Sequence, residues 1–426
     1  MTNYCDLIRS DEVHGSVYRE PGVFRDEMER IFYRTWVAVG HESEIPNSGD
    51  YKRTWIGDQP AFMVRDRDGN INVMLNRCTH RGAQVCENHK GNSHVFRCPY
   101  HGWSFNSQGK LLGLTYSAGY PADFDKSSYN LKSAKVDTYR GFVFASLNDD
   151  VPSLLEHLGN AAEGIDRFVD FSPTGKLNLS AGFAKHRIDA NWKIVLENET
   201  DGHHPLFSHR SIFSVVESNL ATVFDESSEG LVRDLGNGHT ELDFRPVYRR
   251  IGQPFSWLGS KASHFEDYVQ ALKAAYGEKK AQDMLLTGPP HIMVFPNLFL
   301  AELSVHFLQP VSQTTTIQHG TIAQFDGAPT LNRRMIRKAE GTIGPAGLLQ
   351  ADDAEMYESV QRGIMAKDPD WVSLKRGLHR EVRRQDGVVE SHFTDESSQR
   401  GIWRHYRALM DAATTAPIHF MKQGSK

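Results

Sequence analysis

The segments Cys78-Thr-His80-Arg81-Gly82 and Cys98-Pro-Tyr-His101-Gly102-Trp103 form the most specific pattern in this chain. Seventeen residues separate His80 from Cys98, and each segment offers one thiol and one imidazole. A tetrahedral zinc site accepts such a set, but zinc fingers usually pair cysteine with cysteine and histidine with histidine. Four unrelated residues are the simplest alternative, and two mixed pairs so close together disfavour it.

A third interpretation is a Rieske [2Fe–2S] centre, in which two histidines replace two cysteines on one iron. Two ferric ions, two sulfides, two thiolates and two neutral imidazoles carry no net charge, so this cluster accepts an electron more readily than an all-cysteine cluster. Gly82 and Gly102 let the backbone approach closely. The segments match the pattern C-x-H-R-G…C-x-Y-H-G-W, which predicts the cluster ligands Cys78, His80, Cys98 and His101. Cys5 and Cys86 lie outside the pattern and are predicted to be free thiols.

A second group of metal-binding residues lies in the segment 197–209, ENETDGHHPLFSH. The spacing predicts a helix over 190–204, on which Asp201 and His204 share one face. Pro205 should end that helix at or before His204 and turn His209 back toward the same point. Two imidazoles and a later carboxylate would form a 2-His-1-carboxylate site that holds Fe(II) and leaves positions open. Solvated or capping histidines are the alternative, but a one-electron cluster upstream favours the iron site.

The carboxylate is expected from the segment 344–357, GPAGLLQADDAEMY. Its Gly/Pro turn leads into a predicted helix at 351–362, where an acidic side chain can cap the exposed N–H groups. We assign the ligand role to Asp353, and the cap or a supporting role to Asp352.

Length and composition describe a soluble globular chain. The 426 residues suffice for two or three domains, and 39% hydrophobic and 24% charged residues exclude disordered and coiled-coil classes. A net charge of −5 gives no whole-protein basic field for nucleic acid. No segment is apolar enough to span a bilayer, and the first residues lack the features of a secretory signal. We therefore predict a cytoplasmic protein with no nucleic-acid or membrane partner.

The order of strand-like and helical segments along the chain predicts an α+β protein. Short alternating runs over 37–150 predict a small all-β domain. Strand-like runs between 292 and 325 with helices around them predict a second domain built on an antiparallel sheet. Helices are expected at 24–34, 190–204, 263–286, 330–340, 351–362 and 399–413. The predicted domains are an N-terminal helical segment packing on the catalytic domain (1–36), the [2Fe–2S] domain (37–150) and the mononuclear iron domain (151–426).

Both metal-binding groups together resemble the large (alpha) subunit of Rieske non-haem iron aromatic-ring-hydroxylating oxygenases, in particular the benzoate, toluate, salicylate and terephthalate group. The resemblance covers nearly the whole chain, including E-R-I-F…T-W…G-H-E-S-E-I-P, D-x₂-H-x₄-H and GPAG…DD. It implies a helix-grip catalytic domain with iron ligands at His204, His209 and Asp353. Asn198 occupies the position of a family asparagine close to the iron. Relatives often carry Tyr where this chain has His203, so ligation by His203 in place of His204 stays open.

The resemblance also implies the activity. A separate reductase or ferredoxin would deliver NAD(P)H-derived electrons to the cluster, and O₂ would hydroxylate, preferably dihydroxylate, an aromatic ring. Asp201 would link His204 to the partner subunit's His101, which implies a homotrimer with or without a β subunit. The expected substrate is an aromatic carboxylate, and the candidate pocket residues are Leu206, Phe207, Ile343 and Leu349, with the strands at 293–308. Arg404 and Arg210 are candidate partners for the carboxylate, although a solvated surface arginine is the simpler interpretation of each.

Two other functions stay open at this point. A Rieske monooxygenase or demethylase would act on a methylated or non-aromatic substrate. A Rieske electron carrier would use its C-terminal domain only to bind a partner, and that function predicts the absence of the His/His/Asp site.

Overall fold

The computed structural model describes residues 4–215, 223–224, 226–302, 304–342 and 347–412. Helices and antiparallel sheets together confirm the predicted α+β class. The described residues divide into two compact units, one formed by Met28–Leu154 and the other by the residues up to Glu27 together with Leu155–Ala412. The domain boundaries given above, at 36/37 and 150/151, stay predictions.

The unit Met28–Leu154 is built from short antiparallel strands. Residues 98–103 of this unit form a tight loop, because the strands on either side of them, Val95–Arg97 and Ser104–Asn106, pair directly with each other. The sheets have these strand orders: Ile71–Leu75, Gln59–Arg65, Asp50–Ile56, Lys90–Asn92; Lys135–Tyr139, Phe142–Ser146, Val37–His41; and Val95–Arg97, Ser104–Asn106, Leu111–Gly113.

The core of this unit includes the two cysteines of the pattern. Cys78 and Cys98 belong to one buried cluster together with side chains of the four-stranded sheet and of the small sheet. The main aromatic and aliphatic members are Phe62, Val64, Met74, Phe96, Trp103 and Phe105. Both Cys/His segments are therefore anchored on packed strands rather than on free loops.

The other unit is organised around a nine-stranded antiparallel sheet. Most of its strands follow one another in the chain, and the last two return to its edge. The strand order is Ala184–Ile188, Thr315–Ile322, Ser304–Ser312, Leu298–Ala301, His291–Val294, His239–Asp243, Leu231–Gly236, Val389–His392 and Val382–Arg383.

Helices cover both faces of this sheet. Ile292 and Glu241 point to one face, where they meet Gly164 and Arg167 of the helix Ala161–Val169. Alternation places Thr240 and His291 on the opposite face, which the helices Trp192–Asn198, Leu348–Ile364 and Ser397–Asp411 cover. Among the described residues, no helix is both long and apolar enough to cross a membrane.

Two of the predicted helices are interrupted, and a third, predicted over 190–204, ends early at Asn198. The segment 263–286 forms Glu266–Tyr276 and Glu278–Thr287, because Gly277 adopts a positive φ of 79° that ends the first helix. The segment 24–34 forms the helix Pro21–Glu27 followed by a π-helical turn, Met28–Phe32. Other α-helices among the described residues include Ser16–Arg19, Leu154–Leu158, Pro205–Ser208, Arg210–Val215, Arg245–Ile251 and Pro329–Thr342.

A buried ionic network joins the first residues of the chain to the last described helix. Glu27 and Lys193 are both almost fully inaccessible and form an ion pair. Trp192 Nε1 donates to Glu27 Oε2 at 2.8 Å, and Tyr406 Oη donates to Glu27 Oε1 at 2.6 Å. Three side chains from two helices thus converge on the carboxylate of Glu27, which fixes the helix Trp192–Asn198 beside the N-terminal segment.

Candidate metal centres

The two Cys/His segments form a matched pair of tight loops. Gly82 N–H donates to Cys78 O at 2.9 Å, and Gly102 N–H donates to Cys98 O at 3.0 Å. Both glycines have positive φ, 82° and 70°, which only glycine adopts without strain. The two loops therefore close in the same way, although the histidine follows the cysteine by two residues in one loop and by three in the other.

The four donor side chains of these loops face one another. Cys78 and Cys98 belong to the same buried cluster, and the His80 and His101 ring centroids are 4.7 Å apart. Nδ1 of each imidazole is buried and has no hydrogen-bond partner among the described residues. Two thiols and two unused ring nitrogens fit the donor set of a [2Fe–2S] cluster with mixed ligands.

The Cys78 thiol has to lose its proton before it can bind a metal. Burial raises the pKa of the Cys78 thiol to about 11, so iron has to displace its proton. Cys5 and Cys86 form no disulfide, as predicted.

The histidine side of this site faces the surface. His80 stacks on Trp103 with ring centroids 4.8 Å apart, and Trp103 Nε1 donates to Tyr120 Oη at 3.0 Å. A surface cavity of about 720 Å³ is lined by His80, His101 and Tyr120. Tyr116, also on this cavity, is 92% exposed. The aromatic packing holds His80 in place while leaving this edge accessible.

The second group of donors is carried by a segment that is less helical than predicted. The helix begins at Trp192, where the Asn191 side chain accepts from Lys193 N–H, and it ends at Asn198 rather than at 204. Asp201 and His204 therefore do not share a helix face, and that prediction is wrong. The Asp201 carboxylate accepts the His203 N–H at 2.6 Å, a local bond that competes with helix formation. A new helix begins at Pro205, the residue type favoured at a first helical position.

Three side chains from this segment and from the helix Leu348–Ile364 converge on one point. His204 Nε2 and His209 Nε2 lie 3.4 Å and 3.2 Å from Asp353 Oδ1. One potential ligand atom from each residue lies within 4.8 Å of the others. Two imidazole nitrogens and one carboxylate oxygen at these distances fit a 2-His-1-carboxylate iron site.

A second carboxylate stands behind each histidine. His204 Nδ1 lies 3.8 Å from Asp201 Oδ2, and His209 Nδ1 lies 3.5 Å from Asp352 Oδ2. The helix begins at Leu348, so Asp352 is not a helix cap and the predicted capping role is wrong. Such outer carboxylates orient ligand imidazoles and make them more basic.

The charges of His204 and Asp353 shift each other's pKa. Burial lowers the pKa of His204, but the carboxylates of Asp201 and Asp353 outweigh it and raise that pKa to about 9. Burial raises the pKa of Asp353, but His204 and His209 outweigh it and lower that pKa to about 2. The arrangement therefore favours a positive charge between these side chains, which a metal ion supplies.

Asn198, which was expected close to the iron, and two residues that sequence reasoning missed lie around this group. Asn198 Nδ2 lies 3.4 Å from Asp353 Oδ1 and 3.0 Å from Tyr357 Oη. Glu199, also buried, accepts from Gln318 Nε2 at 2.8 Å. Tyr357 lies four residues after Asp353 on the same helix, and this offset was the only signal in the sequence that could have identified it.

The other candidate residues lie in varied surroundings. His203 is exposed and is not part of the converging group; its ring meets Phe207 edge-on at 5.7 Å. Leu206 and Phe207 are 36% and 72% exposed, and Leu349 is half-buried. Ile343 lies outside the described residues. The pocket role of all four apolar residues stays a prediction.

The two candidate arginines match the simpler interpretation. Arg404 Nη1 pairs with Asp234 Oδ2 at 2.7 Å, on the helix Ser397–Asp411. Arg210 is exposed. Neither arginine belongs to the group formed by His204, His209 and Asp353.

Two protein-family models match the chain. The Rieske [2Fe-2S] domain matches residues 35–124. The ring hydroxylating alpha subunit (catalytic domain) matches residues 177–412, more than half of the chain. The chain belongs to the ring-hydroxylating dioxygenase alpha subunits.

Relatives of this family match over most of their length. The chain is 32% identical to the anthranilate 1,2-dioxygenase large subunit of Acinetobacter baylyi, over 93% of this chain and 88% of the relative. It is 31% identical to the salicylate 5-hydroxylase large oxygenase component of Ralstonia sp, over 92% and 93%. The structure of naphthalene 1,2-dioxygenase from Rhodococcus sp. bound to indole superimposes with a TM-score of 0.80, at 26% identity and 95% coverage of both chains.

Membership of the family establishes the class of enzyme. The protein is an oxidoreductase, the terminal oxygenase component that works with reductase or ferredoxin components. Its cofactors are a Rieske [2Fe–2S] cluster and a mononuclear iron. An electron carrier and a structural zinc protein are therefore excluded.

Proposed function

We propose that this oxygenase hydroxylates an aromatic carboxylate and that dihydroxylation of the ring is its main reaction. The observation that carries the proposal is the convergence of His204, His209 and Asp353, because this donor set leaves positions open for O₂ and substrate. Relatives named for anthranilate and salicylate, two aromatic carboxylates, support the substrate class.

In this proposal each metal has its own ligands. The [2Fe–2S] cluster is held by Cys78, His80, Cys98 and His101, and Fe(II) is held by His204, His209 and Asp353. When bound, the cluster supplies single electrons and the iron activates O₂. Asp201 and Asp352 orient the imidazoles so that both Nε2 atoms point toward Asp353.

Metal analysis tests these assignments. Anaerobically purified protein should contain one [2Fe–2S] cluster plus one further iron per chain. Asp353→Ala should lose only the further iron, and Cys78→Ser should lose only the cluster and its acid-labile sulfide. Loss of the cluster in Asp353→Ala, or zinc without sulfide in the wild type, would contradict the assignment.

Labelled O₂ distinguishes dihydroxylation from a single hydroxylation. The name of the salicylate 5-hydroxylase relative favours single hydroxylation as the second candidate. A dihydroxylated product carries two labelled oxygens on the ring, whereas a monohydroxylated product carries one. Turnover of substituted benzoates under labelled O₂, followed by mass spectrometry, decides between them. Demethylation without ring labelling would contradict both.

We also propose a homotrimer, with or without a β subunit, in the cytoplasm. In the trimer Asp201 links His204 to the partner subunit's His101. Light scattering should give three times the mass of one chain, or more if a β subunit is present, and cell fractionation tests the location. Co-assembled Cys78→Ser and Asp353→Ala chains should recover activity that neither variant has alone. A monomer with full activity would contradict the assembly.

A further inference from the structure

The hydroxyl group of Tyr357 lies beside the proposed iron site. Tyr357 and Asp353 are one helical turn apart on Leu348–Ile364, so their side chains leave the same face of the helix. Tyr357 is only 3% exposed. Its oxygen lies 3.0 Å from Asn198 Nδ2, and the same nitrogen lies 3.4 Å from Asp353 Oδ1. A single amide group therefore separates the hydroxyl from the proposed ligand.

The direction of these contacts follows from the chemistry of the atoms. An ionised carboxylate can only accept hydrogen bonds, so the end of the Asn198 amide that faces Asp353 is its nitrogen. That nitrogen donates, and the Tyr357 oxygen that shares it is an acceptor. The hydrogen of the Tyr357 hydroxyl takes no part in this contact. No acceptor for it is found among the residues that the structure describes.

This hydrogen stays available at neutral pH. Burial raises the pKa of Tyr357 well above its ordinary value, so the hydroxyl keeps its proton. A buried hydroxyl that does not donate costs free energy, because it has lost its hydrogen bond to water. An acceptor atom on a bound ligand would remove that cost.

We propose that Tyr357 donates a hydrogen bond to a carboxylate oxygen of the aromatic substrate and thereby favours carboxylated rings. The inference rests on the proposed function, which makes the substrate an aromatic carboxylate. A neutral donor suits this position, since the two arginines considered for the task are occupied by Asp234 or exposed. Asn198 holds the phenol oxygen, so the hydrogen is directed away from Asn198.

A pair of ligands and one conservative substitution test the inference. Tyr357→Phe keeps the ring and removes only the hydroxyl. Benzoate and toluene differ in that a methyl group replaces the carboxylate. Calorimetric titration of the anaerobic enzyme, with wild type and variant matched for iron content, gives the Kd of each ligand. We expect the Kd of benzoate to rise about tenfold or more, the size of a hydrogen bond to a charged group, and that of toluene to stay unchanged.

Tyr276→Phe is the matched control. Tyr276 Oη donates to Ser172 O at 2.9 Å on the helix Glu266–Tyr276, which contributes no residue to either proposed metal site. Removing this hydroxyl should change the Kd of neither ligand.

The other outcomes separate the inference from the proposed function. Equal benzoate binding by wild type and Tyr357→Phe would overturn the role of Tyr357 and leave the substrate class intact. Equal weakening of benzoate and toluene would also overturn it, because the hydroxyl would then act through packing or the metal site. A wild-type enzyme that binds toluene but not benzoate would contradict the proposed substrate class itself, and the inference with it.

Discussion

Three aspartates lie around the proposed iron site, and their carboxylates have different roles. Asp353 places one oxygen near both imidazoles, whereas Asp201 and Asp352 stand behind them. Asp201 has a further task, since it also accepts the backbone N–H of His203. The local chain direction and the charge behind His204 therefore depend on one carboxylate.

Asp201→Asn separates these two tasks. The amide oxygen can still accept the His203 N–H, but the negative charge behind His204 is lost. We expect iron and sulfide contents like those of the wild type and turnover about 10- to 100-fold slower, the usual effect of changing a group that orients a metal ligand. Asp352→Asn, the same change behind His209, is the comparison. Normal turnover in Asp201→Asn would contradict the proposed bridging role.

Glu197 should give the protein a pH-dependent stability. Burial raises the pKa of its carboxyl from 4.5 to about 7, and Tyr18 Oη donates to it at 2.7 Å. Between these values the folded state binds more protons than the unfolded state, so this group makes stability fall as pH rises through the window. Glu197→Gln removes the effect. Urea unfolding across the window should show the variant gaining stability relative to wild type up to about pH 7. A constant difference between the two proteins would show that the carboxyl titrates normally.

At the scale of elements, close contact between the helix Ser397–Asp411 and the sheet shapes the catalytic unit. A Cβ atom on Gly401 would lie 2.4 Å from Cγ of Asp234. Asp234 is 4% exposed, and its carboxylate pairs with Arg404 and accepts the Gly236 N–H. The aspartate therefore has little freedom to move away.

Gly401→Ala should lower the free energy of unfolding by about 1–3 kcal/mol, the usual cost of overpacking. Gly363→Ala is the matched control, because Gly363 is also helical and a Cβ there would meet nothing within 4 Å. Alanine at that position should raise the free energy of unfolding by about 0.5–1 kcal/mol. Denaturant unfolding of both variants measures the difference, and equal effects would contradict the close contact.

The elements also show what sequence could and could not predict. The Cys/His segments were interpretable because ligand type and spacing are local, and each loop needs glycine at one position. The end of the helix at Asn198 could not be predicted. Helical spacing continues to 204, but the Asp201 carboxylate accepts the nearby His203 N–H instead. Of the two roles considered for Asp352, the cap is wrong because the helix begins four residues earlier, at Leu348. The contact of Tyr357 with Asn198 depends on the packing of two helices that are far apart in the sequence. Residue spacing within each helix does not predict that packing.

At the scale of the whole molecule, the network around Glu27 connects distant parts of the chain. Glu27 and Lys193 are 0% and 1% exposed, and Tyr406 also donates to the same carboxylate. Burial lowers the pKa of Lys193, and the charge of Glu27 counters that effect. The network therefore depends on both charges being present.

Glu27→Leu should lower the free energy of unfolding by about 3–5 kcal/mol, because it leaves the buried Lys193 charge without the carboxylate it is paired with. Adding Lys193→Met should recover part of this loss, since it removes the uncompensated charge. Thermal or urea unfolding of the single and double variants checks the prediction. A double variant less stable than Glu27→Leu would contradict it.

The division of the catalytic unit has a consequence for synthesis on the ribosome. The described part of the [2Fe–2S] unit, Met28–Leu154, is continuous, so it is translated while most of the chain is still to be made. The residues up to Glu27 leave the ribosome first, yet one of their partners, Tyr406, is among the last described residues to emerge. Domains generally fold as units in the order in which they are completed. The cluster-binding unit can therefore fold during translation, whereas the oxygenase unit has to wait for its own C-terminal helix.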